Sequence, residues 1–124
     1  MRGMSVRRTL RGVTVHWVAF LRVNDESAAR KLLTRIETRL AVPLDAGEIE
    51  RYWKDASLYR CTFTTALHAE NPATALHAVL GMAARLAPSW HVNSLPPSDN
   101  LAGWTNEPGI AVAGVTSVGF DLGQ

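Results

Sequence analysis

Between Val13 and Val23 every second residue is apolar: Val13, Val15, Trp17, Ala19, Leu21 and Val23 fall on one side, and Thr14, His16, Val18, Phe20 and Arg22 on the other. Alternation of this kind predicts a β-strand whose first set faces the core. The second face is half apolar, more than a face left to water would be, so something is expected to cover it. From Asn24 the period changes. Ala28, Ala29, Leu32, Leu33, Ile36 and Leu40 recur at helical spacing, and Arg30, Lys31, Thr34, Arg35, Thr38 and Arg39 fill the other positions. Asp25 or Ser27 supplies the N-cap, and Pro43 stops the helix because the residue before a proline disfavours helical dihedrals.

The stretch from Glu48 to Leu67 is rich in aromatic and β-branched residues and breaks only at Asp55-Ala56-Ser57, which predicts a β-hairpin. In its second strand Tyr59, Cys61, Phe63, Thr65 and Leu67 suit the core, and Leu58, Arg60, Thr62, Thr64, Ala66 and His68 face the other way. The first strand is ambiguous, with Ile49 and Trp53 read as inward. Asn71-Pro72 opens a second helix, the cap followed by proline at the first helical position, with an apolar stripe of Leu76, Val79, Leu80, Ala83 and Leu86. Ala87-Pro88 ends it. Trp90 to Leu95 reads as a short strand, Pro96 to Asn100 as a loop, and Leu101 to Thr105 as a brief strand around Trp104. Ile110 to Leu122 closes the chain, with Val118, Phe120 and Leu122 at period two. Glycines at 109, 114, 119 and 123 in this tail predict a bulge or a close backbone approach.

Strand, helix, strand, strand, helix, strand is the split βαβ order. It predicts an α+β, ferredoxin-like βαββαβ sandwich: an antiparallel sheet with two helices on one face, plus a C-terminal extra strand or hairpin. The segment after Ser94 has three possible places: it extends the sheet, crosses its open face, or pairs with a second copy.

Composition narrows the picture. A chain of 124 residues, 47% hydrophobic and 19% charged, fits one globular domain. The apolar runs from Val13 to Leu21 and Ile110 to Val115 fall well short of the roughly 20 residues that span a bilayer. The net charge of +2 conceals an asymmetry, because Arg2, Arg7, Arg8 and Arg11 place four positive charges and no negative ones in the first twelve residues. Residues 1–12 lack a hydrophobic period and read as a flexible basic arm, with residues 13–124 as the single domain. The remaining 112 residues carry nine basic and eleven acidic groups, which argues against a surface built for phosphate backbones. His16, Arg22 and Asn24 interrupt what would follow a signal peptide's charged start, and the lone Cys61 has no disulfide partner, so a cytoplasmic location is expected.

No catalytic motif stands out. His16, His68, His77 and His91 include no pair at metal-binding spacing, so neither a metal nor a cofactor is expected. Cys61 sits in a core alternation and reads as a small buried residue. One constellation is a candidate ligand or partner surface. If the first and third strands are neighbours, His16, Phe20, Arg22, Arg60, Thr62, Thr64 and His68 all project from the open face with Val18 among them, mixing an apolar floor with convergent polar groups. The simpler expectation is that the C-terminal segment covers this face and leaves the polar groups at its rim. An RNA-binding sheet would carry stacking aromatics here, yet Leu58 to Thr65 lacks the glycine-punctuated pattern of such strands. Trp53, Trp90 and Trp104 are candidate interface anchors, with core filling expected for at least two of them.

The closing third, Ala-Pro-Ser-Trp-His-Val, then a Gly-Trp turn, then Pro-Gly-Ile and a final Val-Gly-Phe-Asp-Leu, resembles in layout the small single-domain immunity proteins of bacterial polymorphic toxin systems. The resemblance implies a non-catalytic protein binder and carries over no functional residue. Two hypotheses follow. One is a non-enzymatic interaction domain with a protein partner. The other is a dimeric α+β barrel, in which two sheets enclose a small molecule or an oxygenase-like site and His16 or His68 moves a proton.

Overall fold

A computed structural model of the chain describes residues 12–69, 71–94, 101–106 and 109–122. Among the described residues the protein is α+β, with one six-stranded antiparallel sheet and two helices. In chain order the elements are β1 (Gly12–Leu21), α1 (Glu26–Leu40), β2 (Leu44–Arg51), β3 (Tyr59–His68), α2 (Pro72–Leu86), β4 (His91–Ser94), β5 (Leu101–Thr105) and β6 (Val115–Leu122). Residues 1–11 of the expected arm and the expected loop from Pro96 to Asn100 lie outside the described residues.

Both helices begin as their sequences predict. Asp25 Oδ1 accepts the backbone N–H of Ala28 at 2.8 Å, and Asn71 Oδ1 accepts that of Thr74 at 2.9 Å. α1 buries Ala29, Leu32, Leu33, Ile36 and Leu40 in one core with Val15, Trp17, Ala19 and Leu21 of β1. α2 buries Val79, Ala83 and Leu86 of the predicted stripe, but Ala75 and Met82 take the inward places expected for Leu76 and Leu80, which are exposed. The stripe is rotated because the 15-residue helix is apolar almost all round, with no charged residue before Arg85, so its periodicity marks no single buried face.

The sheet order is β2-β3-β1-β6-β5-β4. The ferredoxin-like order would seat β4 beside β1, but β6 holds that place, antiparallel to β1, and β4 lies at the far edge beyond β5. Length and apolar content explain the exchange. β6 has eight residues and covers the core with Val115, Val118, Phe120 and Leu122, whereas β4 has four, and short strands serve best at edges. β5 and β6 therefore extend the sheet and do not lie across its open face.

Two further departures concern the central hairpin. β2 begins at Leu44, four residues ahead of Glu48, where the predicted hairpin starts. Its register against β3 shifts between Ala46 and Ile49, a bulge that interrupts the period of two within the strand. Trp53 lies beyond the strand, in the turn, and is 82% exposed rather than inward. Trp104 is exposed as well, and only Trp90 of the three packs against the core.

Candidate functional site

On the face away from the helices, antiparallel pairing lines up rows of side chains across the strands. Thr64 of β3 stands opposite His16 of β1, which stands opposite Asp121 of β6, and Asp45 of β2 stands opposite Thr64 on the other side. The next row runs from Thr62 through Val18 and Gly119 to Trp104 and His91. Because Gly119 has no side chain, the face dips between Val18 and Trp104. A Cβ at 119 would lie 3.7 Å from both Val18 Cγ1 and Trp104 Cβ, and 3.3 Å from the Gly103 carbonyl oxygen.

The dip is part of a groove of about 600 Å³ whose lining includes His16, Val18, Asp45, Thr62, Trp104 and Asp121. It is open to solvent. Trp104 forms one wall, 47% exposed, with its ring stacked on His91 at 4.5 Å and 22°. The opposite wall is the β2 bulge, where the Glu48 backbone N–H donates to Thr62 Oγ1 at 2.9 Å. Gly47 permits that approach, since a Cβ there would fall 2.6 Å from the same oxygen. Arg60 meets Glu48 at 3.5 Å, a long and partly solvated ion pair worth at most about 1 kcal/mol.

Four of the seven sequence-derived candidates, His16, Arg60, Thr62 and Thr64, line this groove. The other three lie outside it. Phe20 packs edge-on against Tyr52, ring centroids 4.8 Å apart, and Arg22 donates to Ser57 Oγ at 3.0 Å, both next to the hairpin turn. That turn is held by Asp55, whose Oδ1 accepts the Ser57 hydroxyl at 2.6 Å and the Ser57 backbone N–H at 3.0 Å. These two hydrogen bonds, the hydroxyl's first, hold the Asp55 carboxyl below its usual range. His68 ends β3 opposite Gly12, at the other extreme of the sheet.

Asp45, Gly47, Gly119 and Asp121 line the groove without having been singled out as site residues, and Trp104, a candidate interface anchor, joins them. Gly119 and Asp121 were legible in part, because they alternate with the inward Val118, Phe120 and Leu122. Their meeting with Val18 and His16 required the unexpected β1–β6 pairing.

Cys61 is buried and free, and burial pushes its thiol up to about 11, which suits a core residue and not a nucleophile. Among the described residues no group of three or more His, Cys, Asp or Glu side chains could hold a metal ion, and no helix is long and apolar enough to cross a membrane. No family model matches the chain, and neither a curated protein nor a solved structure is significantly similar to it.

Proposed function

We propose that this chain is a non-enzymatic protein-interaction domain, immunity-like in role, that engages its partner through the open face of the sheet. One observation carries the reading. The C-terminal strands widen the sheet instead of covering it, and a half-apolar groove with an exposed tryptophan is left facing solvent. Exposed aromatic side chains beside a shallow concavity are the usual anchors of a protein interface. A groove open to solvent does not exclude water from its lining groups, which favours contact area over chemistry. The layout of the closing third, similar to that of immunity proteins, agrees with a binder. The unpaired, buried Cys61 suits a reducing compartment, and we place the protein in the cytoplasm.

The same uncovered face supports a second reading, the dimeric barrel, because two half-apolar sheets could cover each other around a small molecule. The mass in solution by light scattering separates the two. The interaction reading expects a monomer, and His16→Ala combined with Phe20→Asp leaves that mass unchanged, with circular dichroism confirming the fold. A native dimer that the double change turns into a folded monomer would replace the interaction reading with the barrel.

A further inference from the structure

The charges of the sheet face are as uneven as its shape. β2 contributes Asp45 and Glu48, and Glu50 stands directly opposite Arg60 on the same face; β6 contributes Asp121. Arg60 is the basic residue of the groove lining, and it is already in contact with Glu48. No hydrogen bond or ion pair to a described residue engages the carboxylates of Asp45 and Asp121. On α1, by contrast, the four cations Arg30, Lys31, Arg35 and Arg39 are exposed and outnumber the two acids, Glu26, which pairs with Arg30 at 2.9 Å, and Glu37. The acidic side of the domain is therefore the side that carries the groove.

From this charge complementarity we infer that the groove takes a cationic segment of a protein partner, an inference that rests on the interaction reading above. A lysine or arginine side chain laid along the dip has an apolar floor at Val18 and Gly119 for its stem. Its charged end meets the Asp121 carboxylate, with the Trp104 ring beside it to add a cation–π contribution. Asp45 lies in the same row as Asp121, three strand spacings away, or about 14 Å at the usual spacing of roughly 4.8 Å. An extended peptide advances about 3.3 Å per residue, so two cationic residues four positions apart reach both carboxylates from one side of the segment.

The probe is the acetylated, amidated pentapeptide Lys-Thr-Leu-Thr-Lys, titrated into the full chain at low ionic strength and followed by amide and indole NMR shifts. Its counterpart Glu-Thr-Leu-Thr-Glu is the control. The expected result is shifts at Val18, Gly119, Asp121 and the Trp104 indole N–H with the lysine peptide alone. Asp45→Asn with Asp121→Asn weakens binding about fivefold, the loss expected from two exposed ion pairs. Raised salt weakens the native complex in the same direction, which tests the charge without any variant.

Equal binding of both peptides at this face would overturn the cationic preference while leaving the interaction reading in place. Absence of any shift on this face, or shifts confined to another, would overturn the inference outright, and the light-scattering result would still judge the interaction reading. Binding at this face by both the native chain and the Asp45/Asp121 variant with equal affinity would also overturn it. One other occupant is testable in the full chain: if Arg2, Arg7, Arg8 and Arg11, all changed to serine, raise the affinity for the lysine peptide tenfold or more, the groove's occupant is the chain's own basic arm and not a partner.

Discussion

Arg39 and Arg85, in the last turns of the two helices, each bind the end of the other's helix. The Arg39 guanidinium donates to the Arg85 carbonyl oxygen at 3.2 and 3.1 Å, and Arg85 Nη1 donates to the Leu40 carbonyl oxygen at 2.6 Å. The final carbonyls of a helix have no partner within it and carry its negative dipole end, so each cation fills a hydrogen-bonding vacancy and meets favourable charge. Two like charges are thereby held side by side at the seam where α1 meets α2. Arg85→Ala is expected to lower stability by about 1 to 2 kcal/mol. Arg39→Ala, whose bonds are solvent-exposed, should cost about half as much. Urea unfolding of both variants checks the ranking, and equal or negligible losses would show that the cross-capping contributes little.

Beneath the sheet, Trp17 and Thr65 form the buried polar contact between β1 and β3. The Trp17 indole N–H donates to Thr65 Oγ1 at 3.0 Å, and the Thr65 hydroxyl contacts Met82 Sδ at 3.8 Å. Thr65→Val keeps the shape but strands the indole N–H, at a cost of about 1 to 3 kcal/mol. Thr65→Ser keeps the hydroxyl and loses a methyl, costing about 1 kcal/mol. Denaturant midpoints that reverse this order would mean that packing, not the hydrogen bond, fixes the position.

Gly114 closes the entry to β6 with φ near +98°, and a Cβ there would fall 2.8 Å from Leu32 Cδ1. Gly114→Ala therefore combines backbone strain with crowding of α1. The expected loss is about 2 to 3 kcal/mol, read as a fall in the thermal midpoint. An unchanged midpoint would show that the turn relaxes freely.

The Cys61 thiol is raised from 9.0 to about 11 because burial disfavours the thiolate. Between these two values the unfolded chain ionises while the folded one does not, so stability is fully present below pH 9 and falls as pH rises towards 11. Cys61→Ala should lose part of the alkaline slope of the native protein, with tyrosine and lysine titration common to both. Ellman's reagent should leave the native thiol unmodified near pH 8 and label it once urea unfolds the chain. Rapid labelling of the folded protein would contradict the buried placement.

Local patterns in the chain account for much of this molecule. The alternation of β1 placed Val15, Trp17, Ala19 and Leu21 inward, and Asp25 and Asn71 announced the two caps; all are interactions within a few residues of themselves, which a linear pattern records. Period two, with the expected pairing of the first and third strands, also put His16, Arg60, Thr62 and Thr64 on one face, and these four line the groove. Trp53 escaped because β2 ends at Arg51 and leaves it in the turn, where alternation no longer assigns a face, and Leu76 and Leu80 because an apolar helix offers no contrast between its faces.

Which strand sits beside β1 was decided only by the tertiary structure. β4 and β6 both alternate, and their relative claims depend on how much of the core each can cover, a comparison between segments far apart in the chain. That choice carried Gly119 to Val18 and Asp121 to His16, and so opened the groove. A residue's face is written in its neighbours along the chain; its neighbours across the sheet are set by the competition of all strands for one core.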